Sequence, residues 1–172
     1  MLCYKHEAYL DRRTLEQALP AFSDCGLILA TLVSYSGVFH NGFVFDDVFY
    51  VVKNPNVQRG VGLESVRWVF TTFFGAKWQP LAWLSSMLDY RVYGGNPDGH
   101  HATNLLFHIA NTILLLLVLG RISGSLWKSA FVAALFAFHP LHVESAAWAA
   151  ERKDVLSTFF MLLATVRPFL SP

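Results

Sequence analysis

The sequence predicts an all-α, multi-pass membrane protein, and three observations support that fold class. Hydrophobic residues make up 54% of the 172 residues and charged residues only 15%, whereas a soluble globular chain carries about 25% charged residues. Long apolar runs alternate with segments rich in Trp and Tyr, which settle at the headgroup level of a bilayer. The net charge of +1 gives no electrostatic footprint for nucleic acid, so no nucleic-acid partner is expected.

Membrane spans are expected where roughly 20 mostly apolar residues follow one another, because a helix of that length crosses the hydrocarbon core. Three to four such spans are predicted, at residues 21–39, 102–120, 122–139 and 155–170. The second is the most apolar, since His108 is its only titratable side chain. The fourth is short and runs into Arg167 and Pro168, which indicates a span that is cut off or barely completed.

The basic residues near the predicted spans indicate their orientation. Lys5, Arg12 and Arg13 precede the first span, and Arg121 and Lys128 lie between the second and the third. Short loops rich in Lys and Arg face the cytoplasm, so the N-terminus is expected inside. Basic residues before an apolar run are also typical of a signal peptide, which is the alternative interpretation of the first span.

This orientation divides the chain into a cytoplasmic segment, a transmembrane domain and a short tail. The predicted bounds are residues 1–20 for the segment, 21–167 for the domain and 168–172 for the tail. Within the domain, two loops are expected to face outward, at residues 40–101 and 140–154.

The first outer loop is expected to contain two helices that lie in the membrane interface. Apolar residues recur at steps of three and four over residues 63–74, as in an amphipathic helix. A second helix is expected after Pro80, and it ends before the turn-rich residues 94–99.

Asp46 and Asp47 are adjacent carboxylates between aromatic residues, just after the first predicted span. Poor solvation and mutual repulsion favour a raised pKa for one of the two carboxyl groups, which suits proton transfer. The alternative interpretation is a turn or a helix cap, because Asp is common at those positions.

Charged residues also cluster in the second outer loop, at Glu144, Glu151, Arg152, Lys153 and Asp154. If the small residues between them are helical, Glu144, Glu151 and Arg152 lie on neighbouring turns of one face. Arg152 and Lys153 are then either solvated interface charges or a clamp for a lipid-borne phosphate.

Histidines near these carboxylates raise the question of a metal. His139 and His142 lie close to Glu144, and the pair His100 and His101 offers a further ligand. Their spacing matches no strong zinc pattern, so polar groups satisfied at a helix end are the preferred interpretation. No metal site and no cofactor are assigned, and a divalent metal is left open.

Four segments resemble motifs of bacterial membrane proteins related to the transmembrane and tetratricopeptide-repeat O-mannosyltransferases. They are WQPLAWLSSMLDY at residues 78–90, GHHATNLLFHIAN at 99–111, HPLHVES at 139–145 and ERKDVLS at 151–157. The resemblance covers residues 37–163.

The resemblance implies part of the GT-C glycosyltransferase fold, in a bacterial inner membrane. Such enzymes transfer a sugar from a polyprenyl-phosphate or dolichyl-phosphate carrier to a hydroxyl of a protein or glycan acceptor on the outer face. Asp46 resembles the family's catalytic base, with Asp47 beside it, and Asp154 resembles the acid before the fourth span. Arg152 and Lys153 are the implied phosphate partners.

The same resemblance makes four further residues candidates for substrate binding: His100, His101, Glu144 and Glu151. Gln79 and Ser86 depart from the family's pattern, since relatives commonly carry His at both positions.

Relatives also continue through further spans and helical repeats of about 34 residues. We therefore expect a fragment that is inactive alone, with the missing spans supplied by a separate chain if at all. The alternative function is a non-catalytic membrane protein that retains the opening of the fold and acts in interaction or assembly.

Overall fold

The computed structural model describes residues 24–166. Within this range the regular secondary structure is helical, and no strand occurs. The predicted all-α class is confirmed over this range. Several predictions fall outside the described residues. They are the segment 1–20, the tail 168–172, residues 21–23 of the first predicted span and residues 167–170 of the last. The α-helices are α1 (24–34), α2 (Pro55–Gln58), α3 (Leu63–Thr71), α4 (Pro80–Tyr93), α5 (Pro97–Ser123), α6 (Leu126–Phe138), α7 (Leu141–Ala147) and α8 (Arg152–Val166).

Helix α5 is the central element, and it packs against α4, α6, α7 and α8. Its start is set by Asn96, whose side chain accepts a hydrogen bond from the Asp98 N–H, and by Pro97 in the first turn. Its end is set by Gly124, which adopts the left-handed conformation (φ 62°) that favours glycine at this position. Within residues 24–166, α5 is the one helix that is by itself long and apolar enough to cross a membrane.

The third predicted span, 122–139, differs from a straight crossing helix. Helix α6 ends at Phe138, and α7 departs at an angle of 66° beyond His139 and Pro140. Pro140 has no backbone N–H to continue the helical ladder, which accounts for the break. Together α6 and α7 are long and apolar enough for a broken span or a re-entrant loop. The other predicted spans, and with them the multi-pass arrangement, stay predictions.

The two helices predicted in the first outer loop are present as α3 and α4. Some of their aromatic residues build a core of the protein, whereas Leu63 and Phe70 of the predicted interfacial stripe are exposed. Trp83 and Met87 are buried, and the Trp83 ring lies 5.3 to 5.5 Å from the rings of Tyr50, Trp68 and Phe74. Burying one such side chain contributes about 1.5–3 kcal/mol. The segment predicted as the first outer loop therefore contains a packed unit, and we keep the name first outer segment for it.

The connector in the segment predicted as the second outer loop is not one continuous helix. Helix α7 ends at Ala147, Trp148 is extended (φ −106°, ψ 117°), and a short 3₁₀ turn over Ala149–Glu151 leads into α8. The expectation that Glu144 shares a helix face with Arg152 is therefore wrong.

Candidate functional site

Asp46 and Asp47 have opposite environments although they are adjacent in sequence. Asp46 is exposed, and Asp47 is fully buried. Asp47 Oδ1 accepts a hydrogen bond from the Ala150 N–H at 2.7 Å, and its Oδ2 accepts one from the Val44 N–H at 3.3 Å. The carboxylate of Asp47 thus joins the first outer segment to the turn that precedes α8.

Burial raises the pKa of the Asp47 carboxyl above its usual value of 3.8. The backbone N–H groups of Ala150 and Val44 oppose this rise through their hydrogen bonds to the carboxylate. A raised pKa within the acidic pair is therefore confirmed for Asp47. Its main cause is desolvation, one of the two expected causes, and repulsion from Asp46 is not among the contributions.

Arg152 begins α8, and its guanidinium is buried between α4 and α5 with 1% of the residue exposed. Nη2 donates to Asp89 Oδ2 at 2.6 Å and to the His100 carbonyl at 2.9 Å, and Nη1 donates to Ser85 Oγ at 2.7 Å. Nε donates to Asn104 Oδ1. The guanidinium that was expected to bind phosphate is therefore occupied by groups of the protein itself.

Asp89 is the charge partner that the sequence analysis missed. Its second oxygen accepts a hydrogen bond from Thr103 Oγ1 at 2.9 Å, and His100 Nδ1 lies 3.7 Å from Oδ2. Burial lowers the pKa of Arg152 and the Asp89 carboxylate raises it, and a guanidinium stays protonated in proteins. The signal was a lone Asp one helical turn after Ser85 in an apolar helix, a position that requires a buried partner.

Asn104 connects Arg152 to the break between α7 and α8. Its Nδ2 donates to the carbonyl of Trp148 at 2.7 Å and to that of Ser145 at 3.4 Å. These bonds satisfy backbone groups that the interrupted helix leaves without helical partners. We call the set of Ser85, Asp89, His100, Thr103, Asn104 and Arg152 the arginine centre, in which Ser85 and Thr103 are half-buried and the other four residues are buried.

The two predicted histidines of α5 are both buried. His100 Nε2 lies 3.1 Å from the Gly94 carbonyl, so this ring holds the turn before α5. The two ring nitrogens of His101 have no hydrogen-bond partner within residues 24–166. The His101 ring packs near Phe43, with 6.3 Å between ring centroids.

The remaining predicted residues lie near the surface. Lys153 forms ion pairs with Glu151 and, at 3.4 Å, with Asp154. Glu151 is half-buried, whereas Asp154 and Glu144 are exposed. The partly exposed charge of Lys153 is therefore balanced by neighbouring carboxylates, whereas the charge of Arg152 is buried.

An apolar groove of about 430 Å³ lies between the start of α4 and the first turns of α8. Lys153 lies in its wall, and the Gln79 side-chain oxygen is buried without a hydrogen-bond partner in the described part of the chain. The groove is lined by Phe70, Trp78, Gln79, Pro80, Leu81, Ala82, Lys153, Leu156, Ser157 and Phe160. Its volume and apolar lining suit a hydrocarbon chain.

His139 and His142 lie at the α6–α7 break, with 5.9 Å between their ring centroids. The His142 ring also lies near that of His108, with 5.8 Å between centroids and a tilt of 39°. Between residues 24 and 166, no group of three or more His, Cys, Asp or Glu side chains is placed to hold a metal ion. These rings are packed with one another and with Phe136.

Three of the four motif segments converge on the arginine centre, since residues 78–90 supply Ser85 and Asp89, residues 99–111 supply Asn104, and residues 151–157 supply Arg152. Protein O-mannosyl-transferase TMTC1 of Homo sapiens is 34% identical over 157 residues, which cover 84% of this chain and 18% of the relative. The chain is a relative of the TMTC protein O-mannosyl-transferases.

Two further TMTC relatives come from other animals. Protein O-mannosyl-transferase Tmtc2 of Drosophila melanogaster is 33% identical over 141 residues, 76% of this chain and 15% of the relative. TMTC4 of Mus musculus is 30% identical over 157 residues, 78% of this chain and 21% of the relative. The chain thus spans about a fifth or less of these relatives. No family model matches it, and no solved structure matches it.

The structure sorts the predicted residues into three groups. Arg152 and His100 belong to the arginine centre, with Asp47 bound to Ala150 two residues before Arg152 and with His101 buried nearby in α5. Lys153, Glu151 and Asp154 form a charged group at the groove. Asp46 and Glu144 are exposed, outside both networks.

Proposed function

We propose that the chain is part of a membrane glycosyltransferase that transfers a sugar, mannose by the names of its relatives, from a polyprenyl-phosphate carrier to an acceptor hydroxyl on the outer face. The observation that carries this proposal is the exposed carboxylate of Asp46 on a loop docked by its buried neighbour Asp47. The kinship with enzymes named protein O-mannosyl-transferases supports the class of reaction.

In the proposed reaction, Asp46 accepts the proton of the acceptor hydroxyl while the hydroxyl oxygen attacks the anomeric carbon. The bond from that carbon to the carrier phosphate breaks, and the phosphate leaves with the bonding electrons. The anomeric centre is inverted in this single displacement. A positioned general base of this kind accelerates a reaction by roughly 10²–10⁴-fold.

The groove supports the choice of a lipid-linked donor. Its apolar lining suits an isoprenoid chain, and the Lys153 ammonium in its wall suits the phosphate that develops charge in the transition state. Lys153 exchanges its carboxylate partners for the phosphate in this scheme. Arg152 stays in the arginine centre and supports the walls of the groove, because it joins α4 to α8.

The test of the proposed base is the variant Asp46→Asn, assayed for transfer of mannose from a polyprenyl-phosphate donor in membranes that contain the whole protein. We expect loss of transfer by about 100-fold or more, because the amide does not accept the proton. Glu64→Gln is the matched control, since Glu64 is an exposed carboxylate in the first turn of α3. Equal transfer by Asp46→Asn and Glu64→Gln would overturn the role of Asp46.

A non-catalytic role in interaction or assembly is the second candidate function. The observation that favours it is the occupation of Arg152 by Asp89, Ser85 and Asn104, together with the compensation of Lys153 by two carboxylates. In that case the Asp46→Asn protein inserts into the membrane and supports growth of its host as the unaltered protein does. Failure of Asp46→Asn to complement a deletion would contradict it.

A further inference from the structure

We infer that Asp47 is a positioning residue whose carboxylate fixes the loop that carries Asp46 against the turn before α8. This inference rests on the proposed function, because it assigns different roles to the two acids. Asp46 meets the substrate, and Asp47 holds Asp46 in place.

The hydrogen bonds of Asp47 connect distant parts of the chain. Oδ1 accepts the Ala150 N–H at 2.7 Å across 103 residues of sequence, and Oδ2 accepts the Val44 N–H at 3.3 Å within the loop itself. With no exposed surface, Asp47 does not reach an acceptor or a lipid phosphate in this arrangement. The exposed side chain of Asp46 is accessible to an acceptor.

The turn that contains the Ala150 N–H is itself held in place. Ala150 lies in the 3₁₀ turn Ala149–Glu151, which leads directly into Arg152. The turn is fixed on one side by Arg152 bound to Asp89 and on the other by the Trp148 carbonyl bound to Asn104. A displacement of the Asp46 loop therefore requires either the Asp47 bond or the arginine centre to open.

The loop also adopts a backbone conformation that needs external support. Phe45 has a φ of 43°, in the left-handed region that side chains rarely adopt, and 87% of its surface is exposed. An exposed Phe gains no packing energy that would offset this strain. Conformations of this kind persist where the surroundings hold them, and Asp47 is two residues away.

The experiment compares Asp47→Asn with Asp47→Leu, two side chains of similar size. The Asn carbonyl still accepts the Ala150 N–H and loses only the longer bond from the Val44 N–H, whereas Leu accepts neither. Two quantities are measured on the full chain in detergent or native membranes: hydrogen exchange of the Ala150 amide, and the kcat and KM of mannosyl transfer.

For Asp47→Asn we expect a protected Ala150 amide and a kcat within about threefold of the unaltered protein. For Asp47→Leu we expect exchange at Ala150 at least tenfold faster and kcat lowered at least tenfold with KM unchanged, because a mobile base still allows substrates to bind. The inference is overturned if Asp47→Asn lowers kcat as far as Asp46→Asn, or if Asp47→Leu leaves exchange at Ala150 and kcat as they were.

The two proposals fail in distinguishable ways. If Asp46→Asn transfers sugar at the full rate, the proposed base is wrong, and the Ala150 exchange rates still decide whether Asp47 holds the loop. If exchange at Ala150 is equal in all variants, the positioning role is wrong whatever the effect of Asp46→Asn.

Discussion

Arg152 and Lys153 are neighbours in sequence with the same charge, and their surroundings differ in every other respect. The Arg152 guanidinium is buried and bound by Asp89, Ser85 and Asn104. The Lys153 ammonium is partly exposed in the wall of the groove and pairs with carboxylates that water also reaches. A buried charge with fixed partners serves the fold, whereas an exposed charge with exchangeable partners is available to a ligand.

Removal of Arg152 tests most directly whether its buried charge stabilises the fold. Arg152→Met leaves the Asp89 carboxylate buried without its cation, which costs about 3–5 kcal/mol of unfolding free energy. Urea unfolding in detergent measures the change. The double variant Arg152→Met with Asp89→Leu is expected to recover much of the loss, since no unpaired charge then stays buried. A loss below about 1 kcal/mol for Arg152→Met would show that the centre is open to water.

Features of the fold that depend on local sequence signals are predicted, whereas those that depend on distant residues are not. Periodicity and Pro80 predicted α3 and α4, and apolar length predicted α5, because those signals are local. The role of Arg152 was missed because its partner Asp89 lies 63 residues earlier in the chain. Charged residues at a helix start look the same in sequence whether the helix end faces water or another helix.

The break at Trp148 is a second example of a nonlocal cause. The residues from Ser145 to Ala150 favour a helix, yet α7 stops at Ala147. The Asn104 side chain, from the middle of the chain, binds the Trp148 carbonyl and so satisfies the interrupted backbone. In the acidic pair, sequence identified the two residues as a unit, but only the fold separates the exposed Asp46 from the buried Asp47.

A smaller effect on stability is expected at Asp47. This buried carboxylate is held by backbone N–H groups, whereas the Asp89 carboxylate is held by a guanidinium. Burial raises the pKa of Asp47 above 3.8. The folded state therefore binds this proton more tightly than the unfolded state does. The stabilisation from protonated Asp47 is complete below pH 3.8 and is lost as the pH rises through the raised pKa.

The measurement is the Tm of the protein in detergent against pH, compared with that of Asp47→Asn. The Asn variant does not ionise, so its Tm is expected to gain on that of the unaltered protein as the pH rises from about 4 towards neutrality. A Tm difference that is constant over this range, or that changes in the opposite direction, would contradict the dominance of desolvation at Asp47.

The smallest effect on stability, and the sharpest on ligand binding, is expected at Lys153. Lys153→Gln removes surface ion pairs that contribute about 0–1 kcal/mol, so unfolding in urea changes little. Because the ammonium lies in the wall of the groove, the variant is expected to raise the KM for a polyprenyl-phosphate donor about tenfold. Lys128→Gln is the control, since Lys128 is an exposed lysine of α6 outside the groove. If Lys153→Gln destabilised the protein as far as Arg152→Met while leaving KM unchanged, both neighbours would serve the fold, and the phosphate would bind elsewhere.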